Sequence, residues 1–466
     1  MSLTLQLGTV GLTSSNHDHS DQTIIPQTED VVRQLRIRQL LCIGLALIVF
    51  IVGFYTYQSY AYVVNTVGKD AVPSIVAAEK IRMTLASAHT QIVNVFLTKE
   101  AVDGNDGKNT QAYVKSIAHA HDYLLVAAQN ITYGDEERKP ILELMTQLSA
   151  YERLVGMALA KPDQHQSLLK ADALMREHIL PAVVALDDAN FKHLSSAYTE
   201  GEHKALLWLI AFLLLSALLV LVYVETQMKL YATFKRMFNP AIAAGLAVFI
   251  VCALLFAAKA GQVVSEVRSA KEDAFDSVHA LSQAKALAYT ANAQESVYLL
   301  LSKSEAQQAQ TTLFQETAKK LFALKLLDVK QLPSDLKSLK GNGLLAEELA
   351  NITFDGEENL ARDTLKGWLE YVRIDAQIRQ LETAGQHDAA IALCLGTQVG
   401  QSDWAFDQFM KSLTATLNLN EQQFALAVNR AFHALSWLWM LLLAILFAPV
   451  IGIALGIQQR LAEFRE

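Results

Sequence analysis

The chain has 466 residues, 52% of them apolar, with a formal charge of −8 and three cysteines. The acidic balance gives no reason to expect nucleic-acid binding. Cys42, Cys252 and Cys394 are too few and too scattered for a disulfide framework, which excludes a small disulfide-stapled secreted fold.

Taken in chain order, residues 1–38 read as a polar, disordered tail that holds His17-Asp-His19 and, near its end, Arg33, Arg36 and Arg38. The first uncharged apolar stretch is Leu40–Tyr57, a span drawn over 39–57. It begins too far into the chain for a cleaved signal peptide and reads as a retained anchor. Further uncharged stretches follow at Ala205–Val224, Ala241–Ala258 and Ala434–Ile457. Each is close to the roughly 20 residues that cross a hydrocarbon core. The spans divide the rest into a first large segment (58–204), a short loop (225–240), a second large segment (259–433) and a tail (458–466). Basic residues flank the tail and loop sides of the spans: Arg33, Arg36 and Arg38, then Lys229, Lys235 and Arg236, then Arg460 and Arg465. The positive-inside rule therefore predicts an inner (plasma) membrane protein with cytoplasmic termini and two segments outside.

The two large segments look like copies. Asn130-Ile-Thr-Tyr-Gly-Asp-Glu-Glu137 reappears as Asn351-Ile-Thr-Phe-Asp-Gly-Glu-Glu358, and Phe96-Leu-Thr-Lys99 as Leu300-Leu-Ser-Lys303. Ala205-Leu-Leu-Trp-Leu209 pairs with Ala434-Leu-Ser-Trp-Leu438. The offsets grow from 204 (300 − 96) through 221 (351 − 130) to 229 (434 − 205), as insertions in the second copy require; the largest reads as a loop over Leu332–Gly343. Apolar residues at spacings of three and four predict helices throughout, in the first copy over about 39–99, 108–130, 135–160 and 164–225. Pro73 and Pro181 fall inside the outer two, where they should kink the helix or end and restart it. The Asn-Ile-Thr motif reads as a helix connection with Thr132 or Asp135 as cap. The fold class expected is an all-α membrane protein with four transmembrane helices and two tandem four-helix bundles forming a pseudo-dimer.

Spans that bracket a helical bundle, with Ile75-Val-Ala-Ala-Glu-Lys-Ile-Arg-Met-Thr-Leu85 opening it, resemble the sensor half of bacterial methyl-accepting chemotaxis receptors. Arg379-Gln-Leu-Glu-Thr-Ala-Gly-Gln-His-Asp-Ala-Ala-Ile-Ala-Leu393 fits the same pattern, with a turn joining its third and fourth helices. The resemblance implies a sensor. Only Gln458–Glu466 follow the last span, so the expected output lies in a separate protein, such as a cytoplasmic kinase reached through the N-terminal tail. The layout is also similar, more distantly, to actinobacterial membrane proteins that relay between a solute-binding lipoprotein and a soluble Ser/Thr kinase.

Candidate ligand-binding residues come from one helical seam, Ile75, Ala78, Arg82, Leu85, His89, Ile92 and Phe96. Arg82 and His89 stand there where apolar residues are expected. At an offset of 204 the second copy places Ala286 and Ala293 opposite them, with Ser282, Tyr289 and Ser296 between. If the two seams face each other, Arg82, His89, Tyr289 and Ser296 could hold a carboxylate-bearing solute, since arginine grips a carboxylate with two hydrogen bonds. The alternative is that Arg82 pairs with an acid on a neighbouring helix. The sequence lacks a phosphate-binding Gly-rich loop with Lys, a His-Glu-x-x-His helix, a Gly-x-Ser-x-Gly elbow and a Cys-x-x-Cys pair, so no enzyme, cofactor or metal is expected. Uncharged spans also argue against an ion or proton carrier. The leading expectation is a sensor or relay that binds a solute or a solute-binding protein and signals by small shifts of its spans. A non-switching scaffold for an envelope complex is the alternative.

Overall fold

The computed structural model describes residues 24–98, 107–161, 165–234, 239–323, 332–333, 335–339 and 341–462. Of the residues singled out above, His17, Asp18, His19, Lys99, Lys235, Arg236 and Arg465 lie outside these. The described chain is helical, with no strand and one isolated bridge between Ala323 and Asn342. It divides into two compact units.

The first unit takes residues up to Ser59, Lys204–Gly261 and Leu435 onward. Its helices are parts of α1 (Ile24–Asn65), α6 (Leu180–Phe234), α7 (Pro240–Arg268) and α13 (Ser402–Ala462). All four are long and apolar enough to cross a membrane. Leu207, Leu214 and Leu221 recur every seven residues along α6 and are 65–68% exposed. An exposed leucine stripe of that length has a solvent to match only in a bilayer. Inside the unit, Phe212 packs on Phe256 and both are fully buried. Gly245 of α7 meets Gly452 of α13 so closely that a Cβ on Gly245 would lie 2.7 Å from the Ala448 carbonyl. Gly452 thus serves close helix approach. Helix α13 runs unbroken through Pro449, whose carbonyl accepts a 2.8 Å hydrogen bond from Tyr223. Helix α7 begins with Pro240 behind Asn239, whose Oδ1 accepts from the amides of Ala241 and Ile242, an N-cap with proline at the first helical position. Helix α1 starts at Ile24, so residues 24–38 of the expected disordered tail are helical.

The second unit takes Tyr60–His203 and Gln262–Ala434. It has two hydrophobic cores. The first is built by α2 (Ala71–Leu97), α3 (Lys108–Gln129), α4 (Asp135–Leu159), α5 (Gln166–Leu174) and α6. The second is built mainly by α8 (Asp276–Leu300), α9 (Ser304–Leu321), α10 (Leu344–Ala350), α11 (Glu357–Thr383), α12 (His387–Cys394) and α13. Each amphipathic helix shows the reason for its packing in its spacing: α4 buries Ile141, Leu144, Leu148, Tyr151, Val155 and Ala158, alternately three and four apart. Helices α2 and α8 lie against each other, so the two first helices do face one another. Thr90 Oγ1 donates to the Tyr289 carbonyl at 2.9 Å, and Ser296 Oγ donates to Asn94 Oδ1 at 2.8 Å.

The helical runs containing the prolines do not stop. A π-helical turn, Thr66–Asp70, precedes α2 and Pro73, and another, Met175–Ile179, precedes α6 and Pro181. A third, Ser269–Phe275, precedes α8 with no proline near it, so proline alone does not explain the widened turn. Asn351 Nδ2 donates to the carbonyls of Glu272 and Asp273 within that turn and to Ser277 Oγ. Asn130 Nδ2 donates likewise to Ser74 Oγ at 2.6 Å. The Asn-Ile-Thr motifs therefore tie each helix connection back to its first helix.

Two expectations about the copies need correction. Ser74 corresponds to Ser277 at an offset of 203 (277 − 74), and the buried series Ala78, Ile81, Leu85 and Ala88 meets Leu281, Ala284, Ala288 and Ala291 at the same offset. The buried faces thus align at 203 rather than the expected 204, because identities at helix ends do not report which face is buried. The positions matching Arg82 and His89 are Lys285 and Asn292, not alanines. Neither Thr132 nor Asp135 caps α4: Gly134 stands at the N-cap, and Glu137 reaches back to accept from the amides of Thr132 and Tyr133, both at 2.6 Å. Glu357 does the same for Thr353 and Phe354.

Candidate functional site

Where α2, α6 and α8 meet, the bundle unit buries a group of charged and polar side chains. Helix α2 supplies Glu79 and, one turn on, Arg82; α6 supplies Asp187; α8 supplies His279 and, one turn on, Gln283. His279 Nδ1 lies 2.8 Å from Glu79 Oε1 and 3.7 Å from Asp187 Oδ1. Gln283 Nε2 lies 2.7 Å from His279 Nε2 and donates to Asp187 Oδ2 at 3.2 Å. One proton arrangement satisfies these contacts: Nδ1–H donates to Glu79, and Nε2 accepts from the Gln283 amide. The imidazole is held flat against Phe191, with ring centroids 4.5 Å apart and planes 10° apart. Lys271 sits 5.2 Å from the centre of that phenyl ring.

The electrostatics of the group follow from its burial. Loss of water pushes the Glu79 carboxyl well above the ordinary carboxylate range, against the pull of its Ser282 hydrogen bond and of Arg82. Burial likewise raises Asp187 to about 7, with His279 pulling the other way. Burial lowers Arg82, which stands in the field of Asp187, Glu79 and Asp188. Arg82 thus stands among acids on its own and a neighbouring helix.

A cavity of about 180 Å³ opens beside Glu79 between α2, α8 and α13. Its polar lining is Glu79, Lys80, Ser282, Lys285, Thr414, Asn418 and Glu421. Lys285 Nζ donates to Thr414 Oγ1 at 3.1 Å, and burial lowers its pKa, with Glu421 opposing. Two ammonium groups and two carboxyls around one small space suit a solute that carries both charges.

The four residues expected to form a pocket are not gathered into one. His89 points into the first core, where Nδ1 lies 3.1 Å from Tyr151 Oη and Nε2 lies 3.0 Å from Asp172 Oδ1. It lines a cavity of only about 10 Å³, room for about one water, to which Arg82, Tyr289 and Ser296 do not contribute. Tyr289 sets its ring edge-on to Phe406 in the second core. Ser296 is buried on Asn94. Glu79, Asp187, His279 and Gln283 were not singled out by the sequence. Glu79 neighbours the seam residue Ala78, but nothing in a linear pattern links it to helices more than a hundred residues away.

Residues 63–199, which run from the end of α1 into α6, match a family model described as an actinobacterial sensor domain. No curated protein and no solved structure matches the chain. The matched stretch contains Glu79, Arg82, His89 and Asp187, and it supports a bacterial sensor role for a chain with four helices long and apolar enough to span a membrane.

Proposed function

We propose that this protein is a non-catalytic membrane sensor or signal relay. Its bundle unit takes up a small solute, or a solute-loaded binding protein, outside the inner membrane. The single observation that carries the reading is the sensor-domain match over residues 63–199. The geometry supports it in two ways. Helices α6 and α13 are continuous from bundle residues into apolar spans, so a displacement at one end has a stiff path to the other. The cavity lined by Lys80, Lys285, Glu79 and Glu421 has the size and mixed charge for an amino-acid-like zwitterion, and it replaces the Arg82–His89–Tyr289–Ser296 pocket as the binding site.

In this reading the two cores are tandem four-helix bundles, a chemoreceptor-like pseudo-dimer within one chain. The α2–α8 contact stands where two receptor subunits would meet. In the same reading the start of α1 and the connection between α6 and α7 lie in the cytoplasm, which the positive-inside rule supports through Arg33, Arg36, Arg38 and Lys229. Those segments would present the signal to a separate partner such as a kinase.

The test is thermal unfolding of the full-length protein in detergent against a panel of free amino acids and dicarboxylates. It is coupled to disulfide crosslinking between cysteines introduced into the spans of α6 and α13. A solute that raises the midpoint in wild type but not in Lys285→Met, and that changes the crosslinking rate, is expected. No midpoint shift with any solute or solute-binding protein, and unchanged crosslinking, would overturn the reading in favour of a static scaffold.

A further inference from the structure

We propose that Glu79, Asp187 and His279 form a binding site for a divalent transition-metal cation of the zinc class, joining α2 and α6 to α8. The inference goes beyond the solute-sensing reading and does not depend on it.

Three observations carry it. The donor atoms, one imidazole nitrogen and one carboxylate oxygen from each acid, all lie within 4.8 Å of one another although they come from three helices. Zinc bonds to nitrogen and oxygen of about 2.1 Å set tetrahedral donor separations of about 3.4 Å. The observed separations from His279 Nδ1, 2.8 Å to Glu79 and 3.7 Å to Asp187, bracket that value. Small side-chain rotations would complete the site.

The second observation is a buried oxygen with nothing to accept. Asp187 is 2% exposed, and its Oδ1 has no hydrogen-bond partner among the described residues. That oxygen faces His279 Nδ1. A buried carboxylate oxygen left without a donor is costly, and a cation supplies what is missing.

The third is the support behind the imidazole. Metal-binding histidines are usually oriented by a hydrogen bond at the second ring nitrogen. Gln283 stands at Nε2; its amide, turned over, would accept the Nε2 proton once Nδ1 gives its lone pair to the ion, and Asp187 Oδ2, losing the donation of that amide, would turn with Oδ1 toward the cation. Phe191 fixes the ring plane. One imidazole with two carboxylates and no thiolate favours Zn2+ and its first-row neighbours over Mg2+ or Ca2+, which prefer all-oxygen shells.

Full-length protein, purified without a histidine tag and stripped with a chelator, is dialysed against Zn2+ and its metal content measured. The expected result is one Zn2+ per chain, with affinity weakened at least tenfold in each of Asp187→Asn, His279→Gln and Glu79→Gln. A His17→Ala/His19→Ala variant, which removes the histidines of the tail, should bind as wild type does. Co2+ in place of Zn2+ should give the visible absorption of a low-symmetry four- or five-coordinate ion in wild type and lose it in the site variants. Glu79→Gln preserves the shape of the side chain, so its near-ultraviolet circular dichroism should match wild type and show that the fold is intact. No bound Zn2+ in wild type, binding undiminished in all three site variants, or binding lost only with the tail histidines would each overturn the proposal.

Discussion

The two cores of the bundle unit share a frame and differ in what they bury. Tyr151 and Tyr371 occupy corresponding places on α4 and α11, and each hydroxyl meets a polar side chain from the facing first helix: His89 at 3.1 Å, Asn292 at 3.5 Å. Around that shared feature the first core keeps Ile92, Val155 and Leu159. At the matching positions the second carries Glu295, Asp375 and Arg379. Ser402 and Cys394 donate to one oxygen of Glu295, while Asp375 accepts two 2.8 Å hydrogen bonds from Arg379. Arg379 in turn lies over the rings of Tyr298 and Phe314. The first core instead places its acid, Asp172, on the shorter helix α5, against His89 and Arg176. One backbone frame thus accommodates two different polar interiors. The two cores differ where packing permits a charge to be paired.

Removing one partner should break the second interior most. Arg379→Met leaves Asp375 and Glu295 buried without their cation, and a loss of about 3–5 kcal/mol is expected, read from chemical unfolding of the solubilised protein. The first interior should be less sensitive. His89→Ala strands the Tyr151 hydroxyl and Asp172, for about 2–3 kcal/mol, while His89→Asn, which installs the residue found at the corresponding place in α8, should recover part of that loss. If the two substitutions cost the same, the cores do not differ as described.

The shared frame predicts equal behaviour. Glu137 and Glu357 each accept two backbone amides ahead of their helices, so Glu137→Gln and Glu357→Gln should each cost about 1.5–3 kcal/mol. Glu357 should stand at the upper end, because it also accepts from Asn420. Hydrogen exchange of the amides of Thr132, Tyr133, Thr353 and Phe354 would assign each loss to its own half.

The effect most specific to pH belongs to Glu295. Burial, with Asp375 adding to it, pushes this carboxyl from 4.5 up to about 8. A group whose folded value is raised binds an extra proton on folding. Its stabilising contribution is therefore full below about 4.5 and is lost as pH rises through about 8. Glu295→Gln imitates the protonated acid. It should match wild type near pH 4.5 and become progressively more stable than wild type as pH rises from there, flattening the decline between about 4.5 and 8. The same pH series on Ile92→Val, in the first core, should show no such flattening.

Much of this protein follows from the order of its residues alone. Uninterrupted apolar stretches and the three-four spacing specify long helices, because backbone groups must be satisfied within the segment wherever water is absent. The repeated Asn-Ile-Thr motif marks the turns of both halves, and the helices Lys108–Gln129 and Asp135–Leu159 fall within a residue of the expected ones, whereas the first begins at Ile24 and the last runs on to Phe234. Identities at helix ends do not report which face is buried, so the facing register of the two first helices is set by their packing. The polar interiors were hidden for the same reason. Glu295, Asp375 and Arg379 look like ordinary charges on helix surfaces until α8, α11 and α13 close around them. Glu79, Asp187 and His279 lie 108 and 92 residues apart along the chain and become neighbours only when three helices meet (187 − 79 and 279 − 187). Local pattern decides which segments are helical and where they turn. Which buried charges find one another is decided by helix contacts, which depend on the packing of every side chain along each seam.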